Sequence, residues 1–200
     1  MSALTGRVGA TAGGAAAVIA VGVALALRGD LTLDVGWGRT RRPLGPFGVD
    51  VSAPRDVVFA VIADPYLGRT PHAMADKLQV VERGSDMVLA AHHTRVGPRL
   101  VTTTVETVRF SPPDLVAFRL VRGPVPEVTE TFRLSSTEAG TRLDYSGELA
   151  ADLWAFGWWA GRYAAAKWES TVRASLEGIK VEAERHAASS RPPQRGGDST

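Results

Sequence analysis

From Leu78 to Leu149 the sequence runs as six strand-like segments with only short turns between them. They are Leu78–Glu82, Met87–Thr94, Leu100–Phe110, Leu115–Arg122, Val128–Leu134 and Thr141–Leu149. The separators "RGSD", "VGP", "SPPD", "RGPVPE" and "SSTEAG" supply Gly, Pro, Ser and Asp, the residues that reverse a chain. A parallel neighbour needs a crossover of a dozen or more residues, so these turns force antiparallel pairing. One long helical stretch follows at once, about Asp152 to Ala187. A meander closed by a single amphipathic helix predicts an α+β domain, a curved antiparallel sheet covered on one face by that helix.

Ahead of the meander, "FGVDVSAP" (Phe47 to Pro54) reads as a strand turning into a helix, with Ser52 as N-cap and Pro54 in the first turn. "RDVVFAVIAD" has helical apolar spacing, "DPYLGRTP" breaks it, and a second short helix is expected around His72 to Ala75. The expected sheet therefore has about seven strands, with two short helices after the first.

Val8 to Leu27 carries no charge and is long enough to cross a bilayer as a helix. Its seven large aliphatics favour insertion by only about 3 kcal/mol in total. An uncleaved transmembrane anchor is the leading reading. A signal peptide cut near Ala24-Leu25-Ala26 and a buried apolar helix are the rivals. Arg28, Arg39, Arg41 and Arg42 follow the segment while only Arg7 and the amino terminus precede it, which predicts a cytoplasmic domain on a single-pass cell-membrane protein. "GRTRR" (Gly38 to Arg42) is either a headgroup-attracting stretch or a solvated linker. The expected organisation is an anchor at 1–28, a basic linker at 29–45, the folded domain at 46–187 and a disordered tail at 188–200.

Composition removes several classes. The 23 Lys and Arg against 21 Asp and Glu leave a charge of +2, unlike the concentrated basic excess of a nucleic-acid binder. With no cysteine there is no disulfide, thiolate metal site or Cys nucleophile. The four histidines are not spaced as a metal-ligand set, and neither a phosphate-binding Gly-rich loop nor a Gly-x-Ser-x-Gly elbow is present. No metal or cofactor is expected.

Strand alternation sorts the remaining candidates by face. Leu143, Tyr145, Gly147 and Leu149 share one side of their strand, and Val128, Glu130, Phe132 and Leu134 one side of theirs. Val116, Phe118, Leu120 and Arg122 form a third set, and Met87, Leu89 and Ala91 lead to His93. Glu130, Tyr145, Arg122 and His93 are thus polar groups on greasy faces, with Phe118 and Phe132 as walls, the makeup of a ligand pocket. Each has a plainer reading. Glu130 pairs with Arg122 or Arg119 or sits at a rim, Tyr145 is core, and His93 is exposed near a turn. If Glu130 is buried and unpaired, its pKa rises and it becomes a candidate acid or base.

On the long helix, Trp154, Trp158, Gly161, Ala165, Trp168, Val172, Leu176, Ile179 and Ala183 fall on one stripe, the expected buried face. Trp154, Trp158 and Gly161 are candidate ligand contacts, although Gly161 also suits simple close packing. Phe156, Trp159 and Tyr163 project elsewhere. They either lie under the short helices or face a membrane or partner, since Trp and Tyr favour the headgroup level.

The element order, "VDVSAPRDVVFAVIADP" (Val49 to Pro65), "GPVPEVTETFRL" (Gly123 to Leu134) and "GTRLDYSGEL" (Gly140 to Leu149) resemble the START-like helix-grip superfamily, also called SRPBCC. Polyketide cyclase/dehydrase and lipid-transport families belong to it, and with its apolar leader the chain resembles the membrane-tethered actinobacterial members. The resemblance covers about Pro46 to Ala187. It implies a deep apolar cavity between sheet and long helix. The chain is therefore expected to be a membrane-anchored binder of a hydrophobic small molecule or lipid. The superfamily also implies an alternative, a cyclase, dehydrase or hydrolase on an aromatic or polyketide-like substrate with Glu130 or Tyr145 in acid–base roles. A non-catalytic module docking a membrane or partner is the third reading.

Overall fold

The computed structural model describes residue 17 and residues 20–68 and 74–190, except the Phe156 side chain. Seven strands form one antiparallel sheet: β1 (Thr40–Val51), β2 (Leu78–Arg83), β3 (Met87–Arg95), β4 (Val101–Ser111), β5 (Leu115–Arg122), β6 (Glu127–Thr137) and β7 (Gly140–Ala151). Their order across the sheet is β1-β7-β6-β5-β4-β3-β2. The six meander strands pair in sequence because their turns allow nothing else, and β1 closes on β7. Helix α1 (Arg55–Leu67) follows β1, and helix α2 (Trp154–Ser189) closes the domain against β1, β7 and α1.

Three details depart from expectation. First, β1 begins at Thr40, so Arg41 and Arg42 are strand residues, paired with Ala150 and Leu149. Its register shifts between Leu44 and Phe47, where Gly45 takes φ +79°, and the strand bends round α2. Second, α1 starts at Arg55 after Pro54 with no side-chain cap; Ser52 instead donates its N–H to Glu184. The helix also runs through Pro65 to Leu67, past the break expected there. The second short helix falls mostly on residues outside the described set, and 74–77 form a turn.

Third, residues 20–28 are helical, but most of the apolar segment lies outside the described residues. Among the described residues no helix is long and apolar enough to cross a membrane. Residues 29–39 form an irregular strap across one end of the sheet. The Leu27 carbonyl accepts from Thr102 Oγ1 (2.7 Å), Gly29 packs on the Thr103 backbone, and Thr32 Oγ1 donates to the Gly123 carbonyl (2.9 Å). The Asp152 carboxylate then takes the Val35 and Gly36 N–H groups at 2.8 Å each and the Arg39 guanidinium.

Candidate functional site

The concave face of the sheet carries polar groups that an all-apolar core would not. Thr102, Thr104 and Glu106 on β4 and Glu130 on β6 are all buried there. A buried carboxylate is costly unless it is hydrogen-bonded, so its partners matter. Glu130, 7% exposed, accepts at Oε1 from the Tyr145 hydroxyl (2.7 Å) and from the Trp168 indole N–H (2.8 Å). Three elements therefore meet at one oxygen: β6, β7 and α2. No hydrogen bond reaches Oε2 among the described residues. Gly147, opposite Glu130, leaves the room this requires, since a Cβ there would meet Tyr145 Oη at 3.1 Å and Glu130 Cγ at 3.3 Å. The expected arginine partners are not used; Arg119 and Arg122 are exposed.

A second polar group lies on β3, β4 and α1. Tyr66 Oη is 2.9 Å from His92 Nε2. His92 Nδ1 is 3.2 Å from Glu106 Oε2, within ion-pair range but out of hydrogen-bond alignment, so this buried nitrogen has no hydrogen-bond partner among the described residues. Aromatic rings join the two groups. Tyr66, Phe118, Phe132 and Tyr145 follow one another at centroid distances of 5.9, 5.5 and 5.2 Å, edge to face.

Charge follows from this layout. Burial, reinforced by the Glu106 carboxylate, pushes the Glu130 carboxyl up to about 7 against the relief of its two donors. Burial pulls the His92 imidazole down, but Glu106 and then Glu130 outweigh it and hold the ring above its ordinary value. Burial first, then nearby carboxylates, raise both tyrosine hydroxyls, so Tyr66 and Tyr145 stay protonated donors. Near neutral pH the site thus offers an acid–base carboxyl, an imidazole and two phenols in an apolar setting.

Glu130, Tyr145, Phe118 and Phe132 come together as alternation predicts. His93 and Arg122 do not. On β3 the inward residues are Val88, Ala90 and His92, opposite Val108, Glu106 and Thr104 on β4. His93 therefore faces outward and contacts Thr103 Oγ1 at 3.1 Å. The parity misleads because β4 turns Thr and Glu inward and Val101 and Val105 outward. Arg122 is lost to a register shift: Leu120 pairs with inward Glu106, but Arg122 pairs with outward Val105. Trp154 and Trp158 also miss the interior, at 59% and 46% exposed, because the first turns of α2 overhang the end of the sheet. The buried stripe starts at Gly161, packed on Ala151, and continues through Ala165, Val172, Leu176 and Ala183. Trp158 and Gly161 line a cleft of about 210 Å³ with Arg41, Arg42 and Leu149, away from Glu130. Trp159 and Tyr163 are exposed, and the Phe156 side chain lies outside the described residues. Tyr66, His92 and Glu106 escape sequence reasoning: the first lies beyond an apparent helix break, and the others sit on strands whose apolar pattern is inverted.

A seven-stranded antiparallel sheet gripping one long C-terminal helix around a polar-lined interior defines a helix-grip protein. The chain belongs to the polyketide cyclase/dehydrase and lipid transport family, whose pattern matches residues 48–184. Solved structures share the fold at low identity. The Zhui aromatase/cyclase from Streptomyces sp. R1128 is 22% identical over 74% of this chain and 96% of its own, with a TM-score of 0.62. TTHA0849 from Thermus thermophilus is 17% identical over 76% and 98%, with a TM-score of 0.53. Norcoclaurine synthase from Thalictrum flavum, in complex with dopamine and hydroxybenzaldehyde, is 12% identical over 78% and 91%, with a TM-score of 0.53. No curated protein matches the sequence.

Proposed function

We propose that the chain binds a hydrophobic small molecule bearing a hydroxyl or carbonyl oxygen, held against Glu130 between the sheet and α2. The observation that carries this is the convergence of Tyr145 and Trp168 on one oxygen of a buried carboxyl, whose second oxygen takes no hydrogen bond among the described residues, with aromatic rings beside it. Such an interior suits an apolar ligand fixed by a few oriented polar groups. The ligand oxygen would bond to Glu130 Oε2 and to the Tyr145 hydroxyl. Mass spectrometry of the full chain, purified without detergent and then denatured, should release an apolar oxygenated compound that Glu130→Gln retains poorly. Equal retention by the variant would count against the site.

A second reading is favoured by the Glu130 carboxyl titrating near neutrality beside a phenol. It is acid–base chemistry on the bound molecule, of the kind a cyclase or dehydrase performs. Glu130→Gln removes the titratable proton, so it should abolish turnover in that case, beyond any loss of binding. Unchanged turnover would leave only binding. We also propose that residues 8–27 tether the chain to a membrane with the domain on the cytoplasmic side, which the uncharged run and the arginines after it support.

A further inference from the structure

Most of the exposed large apolar side chains gather at one end, Leu67, Val81 and Val181 apart. In an antiparallel sheet ordered β1-β7-β6-β5-β4-β3-β2, the start of β1, the end of β7, the start of β6, the end of β5 and the start of β4 lie at the same end. The strap of residues 29–39 crosses that end. Thr32 bonds back to Gly123, while Leu31, Leu33, Val35 and Trp37 are exposed, Trp37 at 71%. The start of α2 adds Trp154 and Trp159, the latter 70% exposed. Exposed apolar groups of this density mark an interaction surface.

The backbone is held to present them. Leu153 and Trp154 both have positive φ, +74° and +47°, a conformation that non-glycine residues adopt at a cost. They are fixed there by hydrogen bonds from their N–H groups to the Trp37 and Gly38 carbonyls, at 2.8 and 3.1 Å. The Trp37 and Trp154 rings meet at 5.6 Å, and Gly38 at φ +59° has no side chain to obstruct them. Beside this collar two guanidinium groups flank one ring: Arg42 and Arg162 lie 5.6 and 5.0 Å from the Trp158 centroid. Neither is in an ion pair among the described residues. Arg42 and Trp158 line the cleft of about 210 Å³ between β1 and α2, and Arg162 reaches it only through the Trp158 ring. The helical run that ends the apolar leader is bonded to β4 at the same end, through Leu27.

Exposed aliphatic groups and tryptophans, with arginines beside them, match the composition of a surface that meets anionic headgroups. We propose that this end of the domain docks into an anionic lipid bilayer. The strap and the first turn of α2 enter the headgroup region, and the cleft lined by Arg42 and Trp158 takes a phosphate headgroup. The docking uses the proposed tether only to place a bilayer nearby, and the test separates the two.

Four of the five tryptophans belong to the collar, so tryptophan emission reports on it directly. The full chain is mixed with vesicles of phosphatidylcholine, with or without phosphatidylglycerol, and with or without brominated acyl chains. Docking gives strong bromine quenching and shielding from aqueous acrylamide, both greater with phosphatidylglycerol. The doubly substituted Leu33→Ser, Val35→Ser chain should lose most of the quenching; both residues are exposed, so the fold is retained. Quenching that persists in a chain stripped from vesicles by carbonate, once returned to fresh ones, supports docking while removing the tether. A chain that floats with vesicles but stays open to acrylamide and unquenched by bromine is tethered and undocked, which overturns the proposal. Shielding that grows with protein concentration and ignores lipid identifies a second copy as the occupant, and also overturns it.

Discussion

Glu130 keeps its proton to about neutral pH because ionisation in this interior puts a charge away from water and beside Glu106. The consequence for stability has a definite sign. A carboxyl whose folded pKa exceeds its unfolded value binds more protons when folded, so stability falls as pH rises from about 4.5 to about 7. His92, raised in the folded state, adds stability that is complete below its ordinary value and fades as pH climbs through the folded one. Denaturant melts across that range should show a steady decline, and Glu130→Gln should flatten it and be the more stable protein at pH 8. A wild-type profile that rises over the interval would show that Glu130 is ionised and stabilised by its donors. At this scale the sequence showed Glu130 and Tyr145 because β6 and β7 alternate cleanly. It hid His92 and Glu106 because β4 buries Thr102, Thr104 and Glu106 while exposing Val101. A hydrophobic period cannot assign faces to a strand whose inner side is polar.

Helix α2 serves two purposes along its length, and that division decides what its mutants do. From Gly161 onward it is core, so Leu176→Ala should cost about 2–4 kcal/mol in urea unfolding. Trp154→Ala, on the overhanging first turn, should cost less than about 1 kcal/mol despite removing a larger side chain. Equal losses would place Trp154 in the core. The helical period gave one continuous stripe because it carries no information about where the sheet stops. The strap was equally hidden: a basic, Gly-containing stretch reads as linker until Asp152 is seen collecting two backbone amides and Arg39. Asp152→Ala should speed hydrogen exchange at Val35 and Gly36 markedly and leave the strand amides of β6 unchanged. No change at those two amides would mean that the strap is held by its other contacts alone.

As a whole the molecule was legible in outline, since short turns and one long helix admit few arrangements, and the observed strand order is the one those turns dictate. Its interior chemistry was not, because it depends on which elements converge: Tyr66 from α1, Glu106 and Glu130 from separate strands and Trp168 from α2. The proposed ligand site rests on that convergence. Calorimetric titration of the full chain with 2-naphthol, an apolar ring with one hydroxyl, tests it most directly. The wild type should bind. Glu130→Gln and Tyr145→Phe should each weaken binding about tenfold, the worth of one lost hydrogen bond, while Arg122→Ala and His93→Ala change nothing. Equal affinity in all five proteins, or no binding in any, would contradict a site at Glu130.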